Sequence, residues 1–429
     1  VTPEASGDAY TPEVGTGAYR VEHYDLDLDY RVSRNRLSAT ATITAVAVVQ
    51  LRKFSLDLAG LRVSSVRVNG DPAPKYSHLG STLSVTPPDT IAAGDRFAVT
   101  VAYAGAPSPR RTPWGELGWE ELSDGVLVAS QPSGSCTWFP CNDRPGDKAT
   151  FRIRVTVDAP YTVVCSGHLV SRTKVSGRRS WVYEQEVPTS PYLATVQIGR
   201  YATTTMRAGS VIATVAYPPA LEARVRSDFA VVPGMMALFE QLFGPYPFGK
   251  YHLVVTDDAL EIPLEAQAMA VFGSNHIDGA GSTERLIAHE LAHQWFGNSV
   301  GLTEWRHIWL NEGFACYAEW LWSEHSGGAS ADALARGHHA RLARLGQDIR
   351  IGEPGARLMF DDRVYKRGAL TLHAVRRRLG DPAFFDLLTR WCDRHRHGTV
   401  TTADFVAESG LGSGFFQPWL FSAAMPALP

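Results

Sequence analysis

His289 and His293 stand four positions apart with Glu290 between them, and Glu312 follows in a second stretch of helical character. On a helix of about 3.6 residues per turn, side chains four apart share a face, so both imidazoles can address one metal ion. Glu290 projects at the flank of that face, where a carboxylate can take a proton from a metal-bound water without itself ligating. A third ligand must come from another element. Glu312, in Trp309-Leu310-Asn311-Glu312-Gly313-Phe314-Ala315, is the candidate. Two packed antiparallel helices would bring the three together around one zinc ion, and the chemistry is then that of a zinc hydrolase. Glu319 returns to nearly the same helical face as Glu312, from which it could accept a hydrogen bond from a ligand imidazole. A solvated place on the helix surface is the competing reading for Glu319.

These residues need rigid carriers. Ser282 and Thr283 offer N-caps and Gly297-Asn298 a stop, so His289, Glu290 and His293 are expected well inside one helix. Residues 221–243, 308–325 and 364–379 also place apolar residues at three- and four-residue intervals. Before Tyr201 the text is strand-like, alternating in residues 21–30, 39–49 and 151–157. Val68-Asn69-Gly70-Asp71-Pro72 and Ala106-Pro107-Ser108-Pro109 supply turns. The expected architecture is an α+β chain with an antiparallel β domain over residues 1–201 and a mainly helical domain over residues 202–429. A length of 429 residues also calls for at least two cores.

A hydrophobic fraction of 45% and a charged fraction of 20% are those of a globular protein. The net charge of -3 and the scattered arginines exclude a nucleic-acid-binding surface. Arg363, Arg367 and Arg376-Arg377-Arg378 read as surface charge. No run approaches the roughly 18 to 20 apolar residues of a membrane span. The opening Val1 to Gly17, rich in Thr, Pro and Gly and lacking an initial Met, is expected of a processed, secreted chain; a trimmed cytoplasmic one would read the same way. Cys136, Cys141 and Cys165 fall near one another, so a disulfide among them and a set of buried free thiols are equally open.

His289-Glu290-Leu291-Ala292-His293-Gln294-Trp295-Phe296-Gly297-Asn298 together with Trp309 to Ala315 resembles the zinc aminopeptidases that include aminopeptidase N and leukotriene hydrolase, the gluzincin metallopeptidases. The likeness extends to Ser130-Gln131, to Phe139-Pro140-Cys141-Asn142-Asp143-Arg144-Pro145, to Lys148-Ala149-Thr150-Phe151, and to Tyr365-Lys366-Arg367-Gly368-Ala369, where Arg367 replaces a lysine. The resemblance implies a β domain packed on a thermolysin-like catalytic domain, acting on peptides with a free N-terminus. It assigns the oxyanion donor to Tyr365, whose phenol stays neutral near pH 7. It assigns the α-ammonium to Glu265 and to Gln131. The family's G-x-M-E-N element reads here Ile262-Pro263-Leu264-Glu265-Ala266-Gln267, which keeps the carboxylate and loses its neighbours; Glu261 is a competing register. Many relatives continue into a helical C-terminal domain, whereas this sequence ends soon after Trp419-Leu420, and a more open active site is implied. A zinc endopeptidase, an epoxide hydrolase on the same metal and a non-catalytic zinc-bearing binding protein stand as alternatives.

Overall fold

Alternation of period two governs the first half of the chain in a computed structural model that describes residues 7–429; the first six residues of the Thr/Pro/Gly-rich opening lie outside the described residues. In the strand Tyr19–Arg31, Tyr24, Leu26, Leu28 and Tyr30 point inward and are fully buried, while Asp25, Asp27 and Asp29 face outward. The strand Ala149–Asp158 repeats the pattern with Phe151, Ile153, Val155 and Val157 inward. The two pair in parallel, setting Asp25 beside Arg152 and Asp27 beside Arg154. The resulting ion pairs, at 3.2 and 3.1 Å, are part-exposed and contribute roughly 0.2–1 kcal/mol each, so they mark the register more than they hold it.

Around this pair runs an eight-stranded sheet that is otherwise antiparallel. A five-stranded sheet, from Thr162–Cys165 at one edge to Arg110–Thr112 at the other, and a small three-stranded sheet cover its inner face. Trp119, Trp138 and Phe139 fill the space between the layers.

From Ala202 the chain builds a different layer. Strands Ala202–Ala208, Val211–Tyr217, Tyr251–Val255, Met269–Phe272 and Leu264–Ala266 form a sheet in that order, with Leu264–Ala266 as its edge. Helices α1 (Glu222–Asp228), α2 (Val232–Phe243), α3 (Glu284–Ala292), α4 (Trp309–His325), α5 (Ala331–Leu342), α6 (Asp362–Leu379), α7 (Asp381–Arg394) and α8 (Thr402–Ser409) complete the domain. The stretch 221–243 is two helices rather than one, because Pro233 cannot donate to the preceding turn and sits instead at the start of α2. Helices α5, α7 and α8 add to those that periodicity marks.

Two features differ from expectation near the metal-binding motif. Helix α3 ends at Ala292, so His293 caps its C-terminus instead of lying within it, and the backbone turns on to Phe296, whose N–H donates to Ala292 O. Thr283 occupies the N-cap position, but its hydroxyl donates to His276 O at 2.5 Å and caps nothing.

All five cysteines are buried free thiols. The disulfide considered among Cys136, Cys141 and Cys165 is not formed: Cys136 Sγ faces Ser133 O at 3.6 Å and Cys141 Sγ faces Asp57 O at 3.9 Å. Among the described residues, no helix is long and apolar enough to cross a membrane.

Helices α4 and α6 approach with glycine against glycine. A Cβ on Gly313 would lie 2.8 Å from Gly368 Cα, and one on Gly368 would lie 2.7 Å from Gly313 Cα. That contact allows the backbone after Glu312 to touch the backbone after Tyr365, and so sets the two side chains on one cleft.

Candidate active site

Helix α3 delivers His289 and its C-cap His293, and α4 delivers Glu312 in its first turn. Nε2 of His289 lies 3.6 Å from Glu312 Oε2, and Nε2 of His293 lies 3.5 Å from the same oxygen. Tetrahedral ligands about 2.0–2.1 Å from a zinc ion would stand about 3.4 Å apart, so the triad fits that ion with little movement. Each ring's other nitrogen is engaged. Nδ1 of His289 donates to Glu319 Oε1 at 2.7 Å, and Nδ1 of His293 donates to Phe296 O at 3.1 Å, which leaves both Nε2 lone pairs for a metal.

Electrostatics agree with the donor set. Burial alone would lower both imidazoles, but hydrogen bonds to Glu312 and Glu319 lift His289 to about 9. Glu265 and Glu312 lift His293 to about 10. Burial would raise Glu312, yet the two imidazoles hold it down at about 2. Without metal the pocket therefore gathers protons where a divalent cation would sit.

Glu319 is not a solvated surface residue. It is buried, it holds His289 from behind, and it accepts from Arg285 Nη1 at 3.0 Å. Glu290 is also buried, and its Oε2 has no hydrogen-bond partner among the described residues. Burial pushes its carboxyl up to about 7, so it can exchange a proton near neutrality.

Glu265 sits on the edge strand Leu264–Ala266, and Gln131 Nε2 donates to its Oε1 at 2.6 Å. Glu261 is exposed on the preceding loop, which removes it as the competing register. Acceptor or ligand atoms of Glu265, Glu290 and His293 lie within 4.8 Å of one another. On the other side, the Tyr365 ring stacks over His289 with centroids 6.1 Å apart. Burial, reinforced by Glu312, raises its phenol well above the usual range, so it remains a neutral donor.

Some supporting residues carry no sign of their role in the sequence beyond their place in the family-like segments. Lys148, in the β domain, donates to Asn298 O and Ser299 O at 2.9 and 2.8 Å, pinning the turn that follows His293. Arg367 is not surface charge: it is 3% exposed, and its guanidinium donates to the carbonyls of Pro418, Trp419, Ser422, Ala423 and Ala424. Arg363 and Arg376 are likewise largely buried, paired with Asp361 and Asp348 and with Asp381 and Glu324; Arg377 and Arg378 are exposed as expected. An arginine on a helix reads as solvated unless its distant partners are known, and only the Y-x-K-G-A position of Arg367 hints otherwise.

Residues 20–193 match the Peptidase M1 N-terminal domain and residues 228–413 match the Peptidase family M1 domain. Aminopeptidase M1-A of Oryza sativa subsp. japonica is 31% identical over 323 residues, which cover 68% of this chain and 36% of that protein. Aminopeptidase B of Rattus norvegicus is 27% identical over 350 residues, 77% of this chain and 53% of that one. The chain thus spans about a third to a half of the length of these curated relatives. Its likeness to an M1 zinc metallopeptidase from Deinococcus radiodurans runs end to end, with a TM-score of 0.90, 30% identity and 99% of each chain covered. A mutant of that enzyme has been solved bound to a Tyr-Ser-Ala substrate. With both of its domains matched and a full-length structural relative at this identity, the chain belongs to peptidase family M1.

Proposed function

We propose that the protein is a zinc aminopeptidase that removes the N-terminal residue of peptides, with one ion held by His289, His293 and Glu312. The observation that carries the exopeptidase reading is the place of Glu265, within 4.8 Å of Glu290 and His293. A charge-assisted hydrogen bond spans about 2.7–2.9 Å, and an α-nitrogen lies about 2.5 Å from the carbonyl carbon of its own residue. A substrate ammonium held by Glu265 therefore presents its first carbonyl, and no later one, to the metal site.

Zinc, when bound, supplies a Lewis acid that polarises the carbonyl and acidifies a water. The chain's own residues do the rest. Gln131 orients the Glu265 carboxylate, which holds the ammonium. Glu290 Oε2, buried and unpartnered, accepts a proton from the attacking water and returns it to the leaving amine. Tyr365 donates its O–H to the oxygen that gains negative charge. Glu319 keeps the Nδ1 proton of His289 in place, so that Nε2 remains a ligand.

The test is hydrolysis of one peptide in free-amine and N-acetylated forms by the zinc-loaded protein. The proposal expects cleavage of the first form after its first residue and none of the second. Equal cleavage of both forms would show an endopeptidase, and no cleavage of either would overturn the peptidase reading in favour of an epoxide hydrolase or a zinc-bearing binding protein.

A further inference from the structure

The turn that follows Glu265 is built around a side chain of the metal-binding segment. Strands Leu264–Ala266 and Met269–Phe272 pair with Ala266 opposite Met269, so Gln267 and Ala268 form the turn between them. Ala268 has a φ of +59°, a left-handed backbone that glycine takes freely and alanine does not. Two hydrogen bonds hold it there. His252 N donates to Ala268 O at 2.8 Å, and Ala268 N donates to Gln294 Oε1 at 2.9 Å.

Gln294 follows the metal ligand His293 in the chain and is fully buried. Its Nε2 donates to the carbonyl oxygens of Ala266 and Met269, each at 3.3 Å, and of Glu290 at 3.2 Å. A backbone N–H can only donate and the three carbonyls can only accept, so the amide has one orientation here. Asn298, also fully buried, adds a second tie: its Nδ2 donates to Ala266 O at 2.8 Å, while its backbone N–H donates to His293 O at 3.0 Å. The path from metal ligand to amine anchor is therefore short. His293 is bonded to Gln294, whose side chain meets Ala266, which is bonded to Glu265.

We propose that Gln294, supported by Asn298, is a positioning residue that fixes how far Glu265 stands from the metal triad, and so decides whether one ligand can engage the amine anchor and the metal together. The inference rests on the aminopeptidase reading and deepens it. Leu264–Ala266 is an edge strand with a sheet neighbour on one side only, so its place depends on what grips the turn. Without Gln294, Ala268 loses the acceptor that holds its left-handed backbone, the hairpin relaxes, and Glu265 moves out of register with the metal ligands. A displacement of about 1 Å is enough to forfeit most of the advantage of two contacts made at once.

Calorimetric binding of alanine hydroxamate and of propionohydroxamate to the zinc-loaded protein separates this role from a structural one. Both ligands chelate zinc through the hydroxamate, and they differ only in the amine. In the parent protein the amine should improve Kd about tenfold or more, the effect of one charge-assisted contact. Gln294→Met keeps the length of the side chain and removes its hydrogen-bonding end. In that variant the improvement should shrink about fivefold or more, while the Kd of propionohydroxamate stays within about twofold of the parent value. Adding Ala268→Gly should return about threefold of the loss, because glycine holds the turn unaided. Should Gln294→Met fail to fold, Asn298→Ala is read in the same way. An undiminished improvement in the variant would overturn the proposal, and so would equal weakening of both ligands, which a damaged metal site gives. A loss untouched by Ala268→Gly would overturn the route through Ala268. A parent protein that binds the two ligands equally would overturn amine anchoring by Glu265, and with it the aminopeptidase reading on which the proposal stands.

Discussion

Replacing Glu265 by Gln keeps the shape of the side chain and removes the charge that faces the substrate ammonium. In the structure one carboxylate oxygen is taken by Gln131 Nε2 at 2.6 Å, which leaves the other for the ligand. A hydrogen bond between charged groups contributes about 1.5–3 kcal/mol, so kcat/KM on a free-amine substrate should fall about ten- to a hundredfold. Because the ammonium is held in both ground and transition states, most of the loss should appear in KM. The substitution leaves the metal ligands untouched, so zinc content should stay at the parent value. Initial rates on an aminoacyl p-nitroanilide series, with zinc measured on the same samples, give both quantities. Parent-like kcat/KM, within about twofold, would refute the assignment of Glu265 as the amine anchor and with it the geometric case for exopeptidase action.

Gly313→Ala should force α4 and α6 apart, because the added Cβ would sit 2.8 Å from Gly368 Cα; overpacking of this kind costs about 1–3 kcal/mol. Denaturation should show that loss together with a fall in kcat as Tyr365 retreats, and unchanged kcat would show that the glycine contact does not position Tyr365. Arg367→Met should destabilise the protein by about 2 kcal/mol or more, since backbone carbonyls held by a buried guanidinium lose their donor; a midpoint within error of the parent would contradict this. Zinc uptake should release protons at pH 7. His289 and His293, lifted to about 9 and about 10 in the metal-free protein, must lose their protons to ligate, so affinity rises with pH up to that range. Calorimetry in buffers of different ionisation enthalpy checks the count, and zinc binding without proton release would show that the imidazoles are neutral beforehand.

Much of the site is legible in the sequence, and for a local reason. His289, Glu290 and His293 lie within one and a half turns, so helix periodicity alone places them together, and Glu312 and Glu319 follow from the same periodicity on the next apolar helix. The β character of the first half is equally plain, because Tyr24, Leu26, Leu28 and Tyr30 alternate with acids. What escapes depends on contacts distant in sequence. The parallel pairing of Tyr19–Arg31 with Ala149–Asp158 cannot be read from either strand alone, since the Asp25–Arg152 and Asp27–Arg154 pairs that mark it join residues 127 apart. Lys148 reaches a turn 150 residues away, and Arg367 is buried only because residues 418–424 fold over it. Helix α5, with Gly337, His338 and His339 near its middle, has too weak an apolar stripe to declare itself.

Glu290→Gln, assayed for hydrolysis per bound zinc ion, bears on the mechanism without disturbing the ligands. Removing the proton acceptor while keeping the fold should lower kcat by about 10²–10⁴ with one zinc ion still bound per chain. A variant that retains its zinc and hydrolyses aminoacyl substrates at the parent rate would contradict the role assigned to Glu290, and with it the proposed mechanism.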